Sequence, residues 1–263
     1  MEKALAQRTF GTTGRKISVL GLGTVKFGRN QGVKYPGGKG FRLPEDHEIS
    51  SIIDLCREYG VNLLDTAPAY GTAEERLGAI LGKRRDDFFI ITKTGEEFED
   101  GVSRHDFSAA HTVFSVERSL KRLKTDRLDC VLVHSSRDDV HVINNTSVIE
   151  TLARLKEAGK ILSFGVSTYT VEGGKRVAEV SDAVMVAYNK EYVDESLVIA
   201  HAAARSCAVL VKKGLASGHV AGDAAGNIRF VLENSGVTSM VFGSLSLANI
   251  KSNIDEALGC TKL

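Results

Sequence analysis

Three titratable side chains of different kinds each close a short apolar run of this chain: Asp65, Lys93 and His134. Tyr70 follows Asp65 five positions later. Each residue alone has an ordinary explanation, such as a helix cap for Asp65 or a surface position for Lys93. An unpaired carboxylate is expensive to bury, however, so an acid at the exit of a buried strand must be paired or functional. Together the four residues predict a site.

These four side chains would suit the protonation of a carbonyl oxygen. A free tyrosine has a pKa of about 10, and an ammonium within about 4–6 Å would lower that pKa by roughly 1–3 units. Asp65 would keep Lys93 cationic, and His134 would orient an oxygen beside the phenol of Tyr70. A positioned acid of this kind contributes about 10²–10⁴ in rate. Since no side chain supplies a hydride, carbonyl reduction would also need a nicotinamide cofactor.

The elements that must position these groups alternate along the chain. From Ile17 onwards, eight apolar segments predict strands, and a segment with helical spacing follows each of them. Such alternation implies parallel strands joined by right-handed crossovers, with both faces of the sheet covered. An α/β fold of the closed (β/α)8 TIM barrel type fits eight units in about 250 residues. An open doubly wound sheet is the alternative, but no helix is predicted after the glycines of segment 21–26.

The predicted boundaries follow from apolar periodicity and from capping residues. A short hairpin is predicted over 8–19, turned by Gly11 and Gly14, and a glycine-rich basic loop, which we expect to be mobile, over 28–44. Predicted strands span 17–22, 62–65, 88–92, 128–133, 164–166, 183–187, 208–211 and 239–242. Predicted helices span 44–59, 72–81, 108–123, 146–157, 171–180, 194–206, 224–233 and 246–258, with Thr72, Ser108, Asp194 and Ser246 as caps.

Composition limits the class of protein. The chain has 263 residues, of which 43% are hydrophobic, and we expect one domain over 1–263. A net charge of +1 argues against a nucleic-acid partner. No signal peptide or membrane span is predicted, and a monomer or weak homo-oligomer is expected. Four separated cysteines without metal-binding spacing predict no metal site, reduced thiols and a cytoplasmic location; they are Cys56, Cys130, Cys207 and Cys260.

Several segments, taken in order, resemble the aldo-keto reductase family. They are LGLGT (20–24), LLDTAPAYG (63–71), EERLG (74–78), ITKTG (91–95), LDCVLVH (128–134), GVSTYT (165–170), YN (188–189) and FGSLSLANIKSN (242–253). By this resemblance Tyr70 is the proton donor, and Asp65, Lys93 and His134 complete a catalytic tetrad. The family is a (β/α)8 barrel that binds NADPH, less often NADH, without a Rossmann domain.

The last predicted strand leads to a candidate phosphate site. Ser246 can cap the final helix, so that backbone amides and the helix dipole would face an anion. The resemblance implies a wider set of cofactor-binding residues, in which Ser167 would hold the carboxamide of the nicotinamide. The set is Gly23, Thr24, Asp65, Ser167, Lys212, Lys213, Leu215, Ser244, Leu245, Ser246, Asn249 and Asn253.

The chain departs from the family pattern at four positions. Asn249 stands where typical members carry an arginine, whose fork suits a 2′-phosphate; NADP(H) is favoured by the resemblance and NAD(H) stays possible. Lys212 stands where many members place an aromatic residue against the nicotinamide, and with Lys213 it would meet the pyrophosphate or form a solvated rim. Thr168 and Met185 replace the usual asparagine and glutamine.

Three functions are therefore compared. The leading one is an oxidoreductase that transfers a hydride between NADPH or NADH and a small or polar aldehyde or ketone, or the corresponding alcohol. The charged segments 96–107 and 135–145 would close over that substrate. The second is a Schiff-base aldolase or dehydratase that uses Lys93. The third is a non-catalytic barrel that binds nicotinamide as a sensor or partner subunit.

Overall fold

The computed structural model describes residues 4–32, 40–218 and 223–260. The strands in these ranges are β1 (Gln7–Thr9), β2 (Lys16–Ser18), β3 (Leu20–Gly23), β4 (Leu63–Asp65), β5 (Phe89–Thr94), β6 (Glu96–Glu99), β7 (Val102–His105), β8 (Cys130–His134), β9 (Phe164–Ser167), β10 (Ala183–Ala187), β11 (Ala208–Lys212) and β12 (Ser239–Phe242). The α-helices are α1 (Val25–Gly28), α2 (Asp46–Glu58), α3 (Ala73–Leu81), α4 (Ala109–Leu123), α5 (Asp139–Asn145), α6 (Val148–Glu157), α7 (Val171–Val180), α8 (Ser196–Ala203), α9 (Ala224–Glu233) and α10 (Leu247–Cys260).

Eight of these strands close into a parallel barrel. The order around it is β10, β11, β12, β3, β4, β5, β8 and β9, with β9 returning to β10. A closed barrel confirms the predicted (β/α)8 fold and excludes the open sheet. Its parallel strands bring Asp65, Lys93 and His134 to the same end of the barrel.

The N-terminal hairpin covers the opposite end. Strands β1 and β2 pair antiparallel, and the turn between them places Gly11 and Gly14 at positive φ, as predicted. Phe10 and Ile17 are fully buried in the same cluster as the side chains inside the barrel. The Phe10 ring lies 4.6 Å from that of Phe89, the first residue of β5. The hairpin thus plugs the end at which the strands begin, and the site can form only where they end.

Some local predictions were wrong. The predicted strand 17–22 is divided, because β2 belongs to the hairpin and β3 to the barrel. The Thr72 side chain makes no capping hydrogen bond. Helix α8 begins after Glu195 instead of Asp194, and the Glu195 carboxylate accepts from the backbone N–H of Ala187 at 2.7 Å. By contrast, Ser108 caps α4 as predicted, accepting from the N–H of His111 at 3.2 Å.

Two segments without a predicted element contain regular structure. Residues 96–107 include the β6–β7 hairpin, and residues 135–145 include α5. A single helical turn, α1, also follows β3. Residues 33–39 of the predicted loop 28–44 lie outside the described residues, so the structure does not test its expected mobility.

The cysteines are free thiols, as predicted. Cys56, Cys130 and Cys207 are buried, and burial raises the pKa of Cys56 and of Cys207 to about 12. A thiol with so high a pKa forms little thiolate and is chemically inert. In the ranges the structure describes, no helix combines the length and the apolar character that a membrane span requires.

A prediction follows from the close approach of β9 and β10. A Cβ at Gly165 would lie 1.8 Å from the carbonyl oxygen of Ala183, so the two strands cannot keep their spacing around an alanine. We expect Gly165→Ala to lower the free energy of unfolding by about 2 kcal/mol, as overpacked cores do, measured by urea denaturation. Gly259→Ala in α10 is the control, since its Cβ meets nothing within 4 Å. Equal stability of the two variants would contradict the described strand spacing.

Candidate active site

A buried ion pair lies at the floor of the site. Lys93 Nζ donates to Asp65 Oδ1 at 2.6 Å and to the backbone carbonyl of Thr66 at 2.9 Å. Lys93 is 2% exposed and Asp65 is 4% exposed. Thr24 fixes the backbone of Asp65, because its N–H and its hydroxyl both donate to the Asp65 carbonyl, at 2.9 and 3.0 Å. Residues at the ends of β3, β4 and β5 therefore hold the two charged groups in contact.

Tyr70 is placed over this pair by a tight backbone crossing. It ends a 3₁₀ turn, Pro68–Tyr70, directly after the exit of β4. A Cβ on Gly28 would lie 2.4 Å from the Tyr70 carbonyl oxygen, and a Cβ on Gly71 would lie 2.2 Å from that of Gly28. Only glycines allow this approach, and Gly71 also has a φ of 61°. The crossing holds the Tyr70 ring with its centroid 4.8 Å from Lys93 Nζ.

The prediction that Lys93 lowers the pKa of Tyr70 below its usual value was wrong. Burial raises the pKa of Tyr70 to about 12, and the opposing charge of Lys93 does not overcome it. For Lys93, burial acts to lower the pKa, but the charges of Asp65 and Tyr70 outweigh it and raise that pKa to about 12. At neutral pH the site therefore holds a protonated phenol beside a permanent ammonium.

His134 completes the cluster with a partner that the sequence did not reveal. Its ring meets the Tyr70 ring edge-on, with centroids 6.3 Å apart. His134 Nδ1 lies 2.6 Å from Glu96 Oε2. Burial lowers the pKa of His134 although Glu96 opposes this effect. A neutral imidazole with its proton on Nδ1, facing the carboxylate, leaves Nε2 as an acceptor.

Glu96 is itself held as a carboxylate. Burial acts to raise its pKa, but His134 and Ser103 outweigh burial and lower that pKa to about 2. Ser103 Oγ, on β7, lies 2.5 Å from Glu96 Oε1, and an Arg29 guanidinium nitrogen lies 4.0 Å from the same oxygen. Arg29 also donates to the Ala69 carbonyl in the Tyr70 turn at 3.0 Å. The β6–β7 hairpin is thereby joined to both the histidine and the tyrosine.

A cavity of about 610 Å³ extends from the tetrad to the N-terminal end of α10. Asp65 and Tyr70 line it, as do Asn249 and Asn253 of α10. Of the predicted cofactor-binding residues, those that line the cavity are Gly23, Asp65, Lys212, Lys213, Leu215, Ser244, Asn249 and Asn253. One space thus joins the candidate proton donor to most of the residues expected around the cofactor.

The other predicted cofactor residues support this lining without forming it. Thr24 is fully buried and holds Asp65. Ser167 is 2% exposed, and its hydroxyl accepts from Lys212 Nζ at 2.9 Å. Leu245 packs against the core. Ser246 Oγ accepts from the backbone N–H of Asn249 at 3.3 Å, which confirms its capping role.

Sequence reasoning missed three polar residues at the site. Glu96 lies in a charged segment without apolar periodicity, so nothing marked it. Lys26 and Ser252 both line the cavity. Ser252 follows Asn249 by three positions in α10, and that spacing on a helix would have identified it. Lys251, in contrast, pairs with Asp255 at 2.5 Å and lies over the Tyr59 ring.

Comparison with known proteins assigns the family. The model of the Aldo/keto reductase family matches residues 19–229. The chain belongs to the aldo/keto reductase family. This result confirms the resemblance drawn from the strand-end motifs, and the matched region contains all four tetrad residues.

Individual relatives agree with this family. A solved structure from Pseudomonas aeruginosa, assigned to the aldo-keto reductases, is 44% identical with a TM-score of 0.89, covering 97% of this chain and 95% of that one. The uncharacterized oxidoreductase YqkF of Bacillus subtilis is 31% identical over 69% of this chain and 55% of its own. The D-arabinose 1-dehydrogenase of Saccharomyces cerevisiae is 34% identical over 49% of this chain and 39% of its own. The matched regions span 55% and 39% of the length of these two curated relatives.

The Glu96–His134 contact can be tested by titration. We expect Glu96→Gln to lower the pKa of His134 further, because the carboxylate is the group that opposes the effect of burial. The measurement is an NMR titration of the His134 imidazole. Glu97→Gln is the control, since Glu97 pairs with Arg118 at 2.5 Å and with His111. An unchanged His134 titration in Glu96→Gln would show that the two side chains do not interact in solution.

Proposed function

We propose that this chain is an NAD(P)-dependent oxidoreductase that reduces an aldehyde or ketone, or oxidises the corresponding alcohol. The observation that carries the proposal is the Lys93–Asp65 pair beneath Tyr70 at one end of the cavity. A buried, permanently charged ammonium beside a protonated phenol suits proton transfer to an oxygen that gains negative charge. Family membership supports the same reaction class.

The cavity fits an extended anionic cofactor. Four glycines contribute to its lining, and a Cβ on one of them, Gly243, would lie 3.3 Å from the Gly23 carbonyl oxygen. Lys26, Lys212 and Lys213 supply positive charge along the lining, and α10, whose N-terminus is capped by Ser246, adds the positive end of its helix dipole. A bound nicotinamide dinucleotide would supply the hydride that no side chain can provide.

In the proposed reaction the chain moves one proton. The carbonyl oxygen would take the proton of the Tyr70 hydroxyl as the carbonyl carbon gains the hydride that a bound nicotinamide would supply, so that the substrate becomes an alcohol. An alkoxide is a stronger base than a phenolate, so a Tyr70 phenol with a pKa of about 12 can still protonate it. Lys93 then stabilises the phenolate left behind, an interaction that is stronger after the transfer than before it.

His134 would position the substrate, because its Nε2 can accept a hydrogen bond from a hydroxyl of the substrate or of the alcohol product. It lies beside Tyr70, and Glu96 fixes which ring nitrogen carries the proton. Arg29, which donates to the Ala69 carbonyl and lies 4.0 Å from Glu96, links the turn that carries Tyr70 to the partner of His134. This link preserves the alignment on which a positioned acid depends.

The Schiff-base alternative fits the structure poorly. A lysine nucleophile must be a neutral amine, but Asp65 helps to raise the pKa of Lys93 to about 12. The non-catalytic alternative differs from the proposal in one measurable property: such a protein would bind the cofactor but would not turn over a carbonyl substrate.

The name of the yeast relative makes sugar aldehydes and their lactols reasonable first substrates, together with small polar aldehydes.

Replacing the proposed proton donor tests the reaction. We expect Tyr70→Phe to lower turnover of reactive aldehydes by about 10²–10⁴, because the hydroxyl is the proton donor and its loss leaves the fold intact. The measurements are NAD(P)H oxidation and cofactor binding by nicotinamide fluorescence, and binding should persist. Tyr59→Phe, whose ring lies under Lys251, is the control. Full turnover in Tyr70→Phe would refute the assignment of Tyr70 as proton donor. Cofactor binding without turnover in the wild-type protein would favour the non-catalytic, nicotinamide-binding alternative.

Asn249 offers a test of cofactor preference. The described side chains of α10 that line the cavity, Asn249, Ser252 and Asn253, are uncharged. We expect Asn249→Arg to increase NADPH affinity about tenfold relative to NADH, because a guanidinium pairs with a 2′-phosphate. Fluorescence titrations with both cofactors measure this. Lys251→Ala is the control and should change neither affinity, because Lys251 pairs with Asp255. An unchanged ratio in Asn249→Arg would place the 2′-phosphate elsewhere.

A further inference from the structure

A second lysine lies beside the tetrad. Lys212 ends β11, and its Nζ donates to Ser167 Oγ at 2.9 Å and to the Thr168 carbonyl at 2.7 Å. The ammonium also lies 4.4 Å from the centroid of the Tyr169 ring. Lys212 lines the same cavity as Asp65 and Tyr70. Its hydrogen-bond partners are neutral, and unlike Lys93 it forms no salt bridge with a carboxylate of the described residues; Glu195 and Asp139 act on its charge only from beyond that distance.

The barrel register places this ammonium at the reacting end of the cavity. Ser167 is the direct strand neighbour of His134 across β8 and β9. Lys212 Nζ contacts Ser167 Oγ, and the Lys212 charge is close enough to His134 to be among the causes that lower the pKa of that histidine. Under the proposed function, the redox ring must lie at this end, because the proton of Tyr70 and the hydride go to adjacent atoms of one carbonyl group.

The redox state of the cofactor changes the charge next to Lys212. A dihydronicotinamide ring is neutral, whereas the oxidised pyridinium ring carries one positive charge. Resting on the proposed function, we propose that the Lys212 ammonium faces this ring and makes the site bind the reduced dinucleotide more tightly than the oxidised one. The lysine is thus a determinant of redox-state preference, which favours release of the oxidised cofactor.

The charge of Lys212 is retained at neutral pH. Burial lowers the pKa of Lys212 to about 8, with Glu195 and Asp139 opposing this effect and Lys213 and Lys93 adding to it. Titrations at pH 7 therefore compare a site with the ammonium against variants without it.

A competing role for Lys212 makes a different prediction. If Lys212 bound the pyrophosphate, it would stabilise both redox forms equally, since the phosphates carry the same charge in each. Lys213 is the neighbour suited to such a role: it is exposed, it has a φ of 56°, and its Nζ lies 6.0 Å from the Tyr169 ring centroid. The ratio of the dissociation constants of the oxidised and reduced dinucleotides therefore distinguishes the two roles. It changes if Lys212 repels the oxidised ring, and it stays the same if Lys212 attracts the phosphates.

The experiment measures Kd for NADPH and NADP⁺, and for NADH and NAD⁺, by fluorescence and by competition at pH 7. The variants are Lys212→Met, Lys212→Arg and Lys213→Met. We expect the ratio of the oxidised to the reduced Kd to fall about tenfold in Lys212→Met, because two unit charges near each other in a partly buried site repel by this order. Lys212→Arg and Lys213→Met should keep the wild-type ratio. Each ratio comes from one protein sample, so a loss of folded protein does not alter it.

Two results would overturn the inference, and they are distinguishable. If Lys212→Met weakens both forms equally, or leaves the ratio unchanged, the ammonium does not act on the ring and only this inference fails. If the wild-type protein binds no nicotinamide dinucleotide in either state, the proposed function fails and the inference fails with it.

Discussion

The buried pair of Lys93 and Asp65 is the interaction on which the site depends. Two charges removed from water require close contact and further hydrogen bonds to offset their lost solvation. Here the contact is 2.6 Å, the Thr66 carbonyl accepts a second hydrogen bond from the ammonium, and Thr24 holds the aspartate backbone. Loss of either charge would leave the other buried without compensation. The closed barrel keeps the two charges in contact, because Asp65 and Lys93 lie at the ends of the neighbouring strands β4 and β5.

In the proposed reaction, this pair would allow a phenol with a raised pKa to act as an acid. Burial of Tyr70 keeps its proton in place at all physiological pH values. The adjacent ammonium does little while the phenol is neutral, but it interacts strongly with a phenolate. The stabilisation therefore increases as the proton leaves, which is the condition for lowering a barrier without tightening ground-state binding. A phenol acidic enough to ionise at rest would lose the proton it must donate.

Sequence patterns predicted the barrel and the three strand-end residues because buried parallel strands are continuous apolar runs, and those runs end visibly at Asp65, Lys93 and His134. They did not predict Glu96, because the β6–β7 hairpin is largely exposed and charged and has no apolar alternation. Sequence patterns also did not predict the raised pKa of Tyr70. They identify the neighbouring lysine, but the burial of the Tyr70 ring depends on the backbone crossing of Gly28 and Gly71. The contacts of exposed segments and the burial of a side chain depend on how the folded chain packs, so sequence patterns alone do not predict them.

Two lysines at the same end of the barrel show how local contacts decide electrostatics. Both are subject to burial, which lowers a lysine pKa, yet the pKa of Lys93 is raised and that of Lys212 is lowered. The difference lies in their partners. Lys93 touches a carboxylate, whereas Lys212 touches a hydroxyl and a carbonyl and has Glu195 only as a more distant counter-charge. The first lysine is a neutralised part of the frame. The second has no carboxylate in salt-bridge contact within the part of the chain that the structure describes, so its charge can act on whatever enters the cavity.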